Sequence, residues 1–382
     1  MRSKLLSVAG IFFLLFILFF PLDFLGDFQR KVSLFLFGDL TEWMAKSLFA
    51  TADARIDFSS DSTSMFIFVG MLLLLSLLAA IFMGQRYSRK ILYLSKEIVV
   101  LYLVIVLMKY GFDKVFKAQF YLPEPNILYS RFGNLDKDIL FWSTMGTSRL
   151  YSVSMGIVEL TAAFLILFSR TRALGLLLSV GILANIFLIN IGFDISVKFF
   201  SLILFLMTIF ALKDDWIPMY RFFILKQELK KKEIESYPKL QPFLVFFRTV
   251  FIGISVMLIL LPYSNSGNYN DDTAGRPLLH GAFKNVDQHA DIQYIFFHRN
   301  NYLILMDKNE KMTDFHFSLT SKNRLILENY NGQKTNLDFV YQKEDSLLTV
   351  SVGRYKIKTK EQNWRKMNAL RPLFHTRIES LK

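Results

Sequence analysis

The chain contains no cysteine. Disulfides, thiol redox chemistry and cysteine-held metal clusters are therefore excluded. Histidine is scarce and confined to one end. His280, His289, His298, His316 and His375 all follow the last long apolar block. A His-ligated haem or an iron–sulfur centre in the part before them is excluded. The histidines show no HxH or HxxxH spacing, so no metal site is expected. A nucleophile elbow, a phosphate loop and a dinucleotide fingerprint are also missing.

What the chain has in quantity is apolar surface. Of its 382 residues 53% are hydrophobic, 40 of them Phe, and the mean hydropathy is +0.33. That is too apolar for an ordinary soluble protein of this size. The apolar residues form seven blocks near the length that spans a bilayer, at 5–25, 65–84, 91–112, 150–168, 173–192, 197–212 and 244–262. The sixth is short. The first runs from Leu5 to Phe20, long for a secretory core, with no small-x-small cleavage site after it; it is read as an uncleaved anchor.

Basic residues orient these blocks. Arg2 and Lys4, then Arg86, Arg89 and Lys90, then Arg170 and Arg172, then the run from Lys213 to Lys239 all fall on one side if seven spans are real. The positive-inside rule makes that side cytoplasmic. The N-terminus is then cytoplasmic and the C-terminus extracytoplasmic, as expected for a multi-pass protein of a bacterial inner membrane. The net charge of +13 needs no nucleic acid; it marks topology and contact with anionic membrane lipids.

Composition divides the chain. Residues 1–90 hold two spans and an outer loop. Residues 91–212 hold four spans, 213–243 a basic cytoplasmic loop, and 244–262 a seventh span. In the outer loop 27–64, Asp39 and Glu42 have capping-box spacing, which predicts a short surface helix. The outer loop 113–149 is long enough to be functional. Residues 263–382, linker included, change character. Short alternating runs (DIQYIFFH, YLILMD, FHFSLT, RLILENY, NLDFVYQ, LLTVSV, YKIKTK) are separated by turn residues such as Asn300-Asn301, Asn331-Gly332 and Gly353. This predicts an extracytoplasmic antiparallel domain of seven or eight strands, a small barrel or sandwich.

Polar residues inside the apolar blocks are the site candidates. Glu159 lies mid-block on one helical face with Ser152, Gly156 and Ala163, a stripe expected to face other helices. Asn185 and Asn190 interrupt the fifth block; a 100° turn per residue points them in different directions. Asp194 and Lys198 open the sixth, where helix capping and ion pairing compete with a functional role. Lys114 and Gln119 lie at the outer end of the third. One arrangement accommodates them all: an outward-open cavity with Glu159 at its floor. The competing role for each is to hold helices together.

The same residues carry a family resemblance. YGFDKVFKAQF, FWSTMGTSRLYSVSMGIVEL, FSRTRALG and NIFLINIGFDISVKFFS resemble stretches of the DoxX family of bacterial membrane proteins, and in particular its longer members with an appended β-domain. Gly111, Lys114, Gln119, Trp142, Gly146, Glu159, Arg170, Asn185, Asn190, Asp194 and Lys198 are among the matching positions. Phe193 and Ser196 depart from the pattern, and Phe193 lacks the phenol a proton donor would need. The fold implied is a membrane all-α bundle of about seven transmembrane helices, with a DoxX-like four-helix core at 91–212. The function implied is a redox-associated membrane subunit with a quinone or other lipophilic ligand in the bundle. This chain supplies no cofactor of its own, so electrons would come from a redox partner. Two other readings stand beside it: an envelope assembly protein acting through its β-domain on a protein partner, and a small-molecule transporter coupled through Glu159.

Overall fold

The computed structural model describes residues 2–22, 27–49, 56–228 and 241–371. The expected basic run Lys230–Lys232, with Lys239, lies outside the described residues, and so does His375. The chain divides into two units. One comprises residues 1–116 and 153–269, the other 117–152 and 270–382.

The first unit is helical. Its helices are α1 (Arg2–Phe19), α2 (Asp27–Phe49), α3 (Thr63–Phe82) and α4 (Gln85–Val115). The helices α5 (Pro125–Tyr129) and α6 (Lys137–Thr147) belong to the second unit, and the first resumes with α7 (Arg149–Leu167), α8 (Arg172–Gly192), α9 (Lys198–Ala211), α10 (Trp216–Phe223) and α11 (Gln241–Ser266). Five segments, in α3, α4, α7, α8 and from Arg248 through α11, are long and apolar enough to cross a membrane. The apolar helices at Lys4–Phe19 and Lys198–Ala211 are shorter. Phe16, Phe68, Leu72, Leu103, Ile166 and Met207 are fully buried in a continuous core drawn from α1, α3, α4, α7 and α9.

The expected capping box is not used. Asp39 and Glu42 lie inside the 23-residue α2, and Glu42 pairs with Lys46 on its exposed face. A cap needs a break before it, and the apolar run Leu34–Phe37 carries the helix straight through. The loop expected at 27–64 is thus mostly helix.

The second unit is built on a closed barrel of eight antiparallel strands, each paired to the next, with the last pairing back to the first. The strands are β1 (Gly281–Asn285), β2 (Ile292–Phe297), β3 (Tyr302–Asp307), β4 (Met312–Ser321), β5 (Arg324–Glu328), β6 (Lys334–Gln342), β7 (Leu347–Val352) and β8 (Tyr355–Gln362). Phe283, Ile295, Phe297, Leu303, Leu325 and Leu348 fill the interior, as expected of an eight-stranded barrel. Asn301, Gly332 and Gly353 turn the hairpins at positive φ.

β2 and β3 are apolar on both faces, and the structure shows why. Ala282, Phe296, Ile304 and Met306 point outward and are covered by Leu128, Tyr129 and Trp364. The Tyr129 ring lies 4.9 Å from that of Tyr294. Residues 117–152 therefore group with the barrel instead of with the helical core expected at 91–212.

Candidate functional site

α4 and α7 cross at two glycines. A Cβ added to Gly156 would lie 2.6 Å from the Gly111 carbonyl oxygen, and one at Gly111 would lie 3.1 Å from that of Gly156. This approach brings Lys114, three residues beyond Gly111, to Glu159. Both are buried, and the Lys114 Nζ donates to the Glu159 carboxylate at 2.9 Å. The stripe expected on α7 is buried as well: Ser152, Gly156, Glu159 and Ala163 are all inaccessible.

The other candidates make different bonds. Asn190 is buried and donates to Ser201 Oγ at 3.0 Å, tying α8 to α9. Lys198 pairs with Asp194 at 2.7 Å, but Asp194 does not cap α9. Asp61 does, accepting from the backbone N–H groups of Lys198 and Phe199 at 2.8 and 3.0 Å. A carboxylate distant in sequence took the cap because Asp194 sits at φ 53°, in the turn leaving α8. Asn185 is exposed on the outer face of α8. Gln119 belongs to the barrel unit. These candidates thus make a buried ion pair, a helix tie and an ion pair beside a cap, at separate places in the chain.

The barrel unit holds a pocket of about 210 Å³, lined by Gln119, Tyr121, Glu124, Asn126, Ile127, Ile139, Trp142, Ser143 and His298. Its position follows from backbone contacts. At Gly146 a Cβ would lie 2.0 Å from the Tyr121 carbonyl oxygen, so only glycine lets α6 approach. The fully buried Lys117, at φ 61°, donates to the Gly146 carbonyl at 2.6 Å and lies 3.6 Å from Asp272. Burial pushes its ammonium below the usual lysine range, against the pull of Asp272. One helical turn before Gly146, Trp142 enters the pocket wall.

Glu124 anchors the floor. It lies between Pro123 and Pro125 and is 3% exposed. His280 Nε2 lies 2.8 Å from its carboxylate, and the Arg299 Nε donates to it. Arg299 also donates to Asp271 at 2.7 Å and stacks 4.0 Å from the Tyr121 ring centre. Burial raises the Glu124 pKa, but the His280 bond, the nearby His298 and Arg299 outweigh it and hold it down to about 2. Burial pushes His298 below its usual range despite the Glu124 carboxylate 3.9 Å away. The floor therefore presents an anion already compensated by Arg299, beside a neutral imidazole.

Two groups in the wall are not compensated. The side-chain oxygens of Gln119 and Asn126 are buried and have no hydrogen-bond partner. Both residues line the pocket, and a turn of either side chain toward it would offer the unsatisfied oxygen to a molecule with N–H or O–H groups. Among the described residues no group of three His, Asp or Glu side chains is placed to hold a metal.

The sequence pointed to Gln119 alone in this set. Glu124, Asn126 and His298 were missed because their partners lie far apart in the chain. A carboxylate between two prolines was the one local signal. Gln119 and Trp142 also lie in two of the stretches that carry the family resemblance, and those stretches meet here.

No family model matches the chain, and no solved structure matches it. A curated protein of Bacillus subtilis (strain 168), described as "Uncharacterized protein YwoB", is 35% identical over 129 residues, covering 34% of this chain and 80% of that protein. The chain belongs to the family of YwoB. The matched segment is about a third of the chain, so most of the architecture described above lies beyond what the two proteins are seen to share.

Proposed function

We propose that the chain is a multi-pass inner-membrane protein that binds a small hydrogen-bonding molecule in the extracytoplasmic pocket at Gln119, Asn126, Trp142 and His298. The observation that carries this reading is that two residues lining an aromatic-sided pocket, Gln119 and Asn126, hold buried amide oxygens without a partner. The ligand offers donors to Gln119 and Asn126 and a flat or apolar body to Trp142 and Tyr121. The pocket is smaller than drug-sized sites of roughly 300–1,000 Å³, which suits a compact metabolite or a single ring.

Chain parity supports the topology. Residues 117–152 and 270–382 fold into one unit, so both lie on one side of the membrane. An even number of crossings must separate them. α7, α8 and α11 supply three, and α9 is the fourth. At 14 residues it is about 21 Å long, shorter than the roughly 30 Å hydrocarbon core, a mismatch that thinning and flanking residues accommodate. With α1 crossing as well, the count returns to seven, the N-terminus cytoplasmic and the barrel extracytoplasmic.

The DoxX-like resemblance implies a redox-linked subunit with a quinone. Around Glu159 the residues do not fit that group, since Lys114 occupies the carboxylate and Asn185 points away from the core. In the pocket, acceptor amides between aromatic walls fit a hydroxyl-bearing ring. Gln119 and Asn126 would hold its hydroxyls, and the bound group would supply the two-electron chemistry of a redox partner. The assembly reading is favoured by a different observation, the barrel interior filled with side chains, which leaves the outer surface to act.

Native mass spectrometry on gently solubilised full-length protein tests the binding reading, with wild type beside Gln119→Leu/Asn126→Leu. A co-purifying small molecule, retained by wild type and lost from the double variant, is expected; a quinone among such molecules would join the redox reading to this pocket. Protein that carries no small molecule in either form would shift the assignment to assembly.

A further inference from the structure

One face of α8 is covered by none of the described residues. Leu174, Leu178, Gly181, Asn185, Leu188 and Gly192 are all exposed. They are spaced alternately four and three apart, which draws a straight seam of 3.5-residue period along the helix. The opposite face, with Leu176, Ser179 and Leu183, is buried in the bundle. Packing within the chain does not call for the two glycines of the seam, where an added Cβ would meet nothing within 4 Å. Gly175 on the buried side is different, since a Cβ there would lie 2.7 Å from the Ile166 backbone nitrogen.

Asn185 carries the argument. It lies seven residues from the end of α8, about 10 Å along the axis at 1.5 Å per residue. That depth is inside hydrocarbon if α8 crosses the membrane. Its side chain is exposed and makes no hydrogen bond to any described residue. An amide facing lipid tails loses its hydrogen bonds to water and gains none. A partner with both a donor and an acceptor at the same depth would satisfy it. A second copy of the chain supplies that partner, because a two-fold axis sets a residue against itself and an amide is self-complementary. The flanking glycines let the two helices come close enough for the amides to meet.

We propose that this seam of α8 is a homodimer interface within the membrane, with Asn185 hydrogen-bonded to Asn185 of the second copy. The proposal is independent of the pocket and rests on α8 being a membrane span.

The absence of native cysteine makes the test direct. Single cysteines replace Leu178, Leu188 or, as a control, the exposed Phe164 of α7 in the full-length chain, and isolated membranes are oxidised. Leu178→Cys and Leu188→Cys should give disulfide-linked dimers, and Phe164→Cys should not. Adding Asn185→Leu to Leu188→Cys should lower the linked fraction about fivefold, the size of one interhelical hydrogen bond. Equal linking at Phe164, products of another mass, or linking indifferent to Asn185→Leu would overturn the proposal. Carbonate washing of the same membranes separates the premise from the interface. Release of the chain would show that α8 is not embedded and would remove the proposal by that route.

Discussion

Glu124 shows at the residue scale how much rests on one buried carboxylate. Its cationic partner Arg299 is desolvated with it, so Glu124→Gln leaves Arg299 without its nearest anion. Breaking a buried pair on one side costs about 3–5 kcal/mol, and the thermal unfolding midpoint of the barrel unit should fall accordingly. The effect depends on pH. The folded carboxyl titrates at about 2 and its ordinary value is 4.5. A depressed carboxyl stabilises fully above its unfolded pKa and loses that contribution as pH falls toward the folded one. Wild type and Glu124→Gln should therefore differ most near neutral pH and converge between about pH 4.5 and pH 2; a constant gap down to acid would contradict the ion-pair account. Lys114 and Glu159 invite a paired test. Lys114→Leu alone should destabilise the bundle by about 3–5 kcal/mol, and Lys114→Leu with Glu159→Leu should recover most of it. A double variant as unstable as the single would mean that the two residues do more than neutralise each other. Glu159 was legible as a buried stripe residue because its helical face is written in local spacing. Its partner was not, because the Gly111–Gly156 crossing that joins them is a tertiary contact.

At the scale of elements, period and turn chemistry carried most of the information. The seven blocks correspond to helices, and seven of the eight strands were visible as alternating runs. β1 (GAFKN) was missed, being five residues with no alternation of its own. The doubly apolar β2 and β3 recorded a covered outer face that single-strand periodicity could not assign to a partner. Capping was the least legible feature. Asp39 had the right spacing and was not a cap, whereas Asp61, 137 positions from Lys198 in the chain, was. Asp61→Ala removes two hydrogen bonds at the start of α9 and should cost about 1 kcal/mol, read as a lowered unfolding midpoint. Asp194→Ala, at an exposed side chain, should cost little. Equal losses from both would return the cap to Asp194.

Across the whole molecule, the sequence separates a membrane part from a β-domain but cannot show that residues 117–152 fold with the latter. That grouping is long-range, made by Leu128 and Tyr129 covering the outside of β1–β3 and by Glu124 meeting His280 and Arg299. It moves the candidate site from the helix interior to the barrel unit, and under the proposed topology it calls for an even number of crossings between residues 152 and 270. The central claim is that this pocket opens outside the cytoplasm. Labelling a single cysteine at Ser143, in the pocket wall, with a membrane-impermeant maleimide in cells whose inner membrane is intact tests it most directly. The account predicts labelling before the inner membrane is permeabilised, slowed when the co-purifying ligand is added back. Labelling only after permeabilisation would place the pocket in the cytoplasm and contradict both the topology and the proposed function.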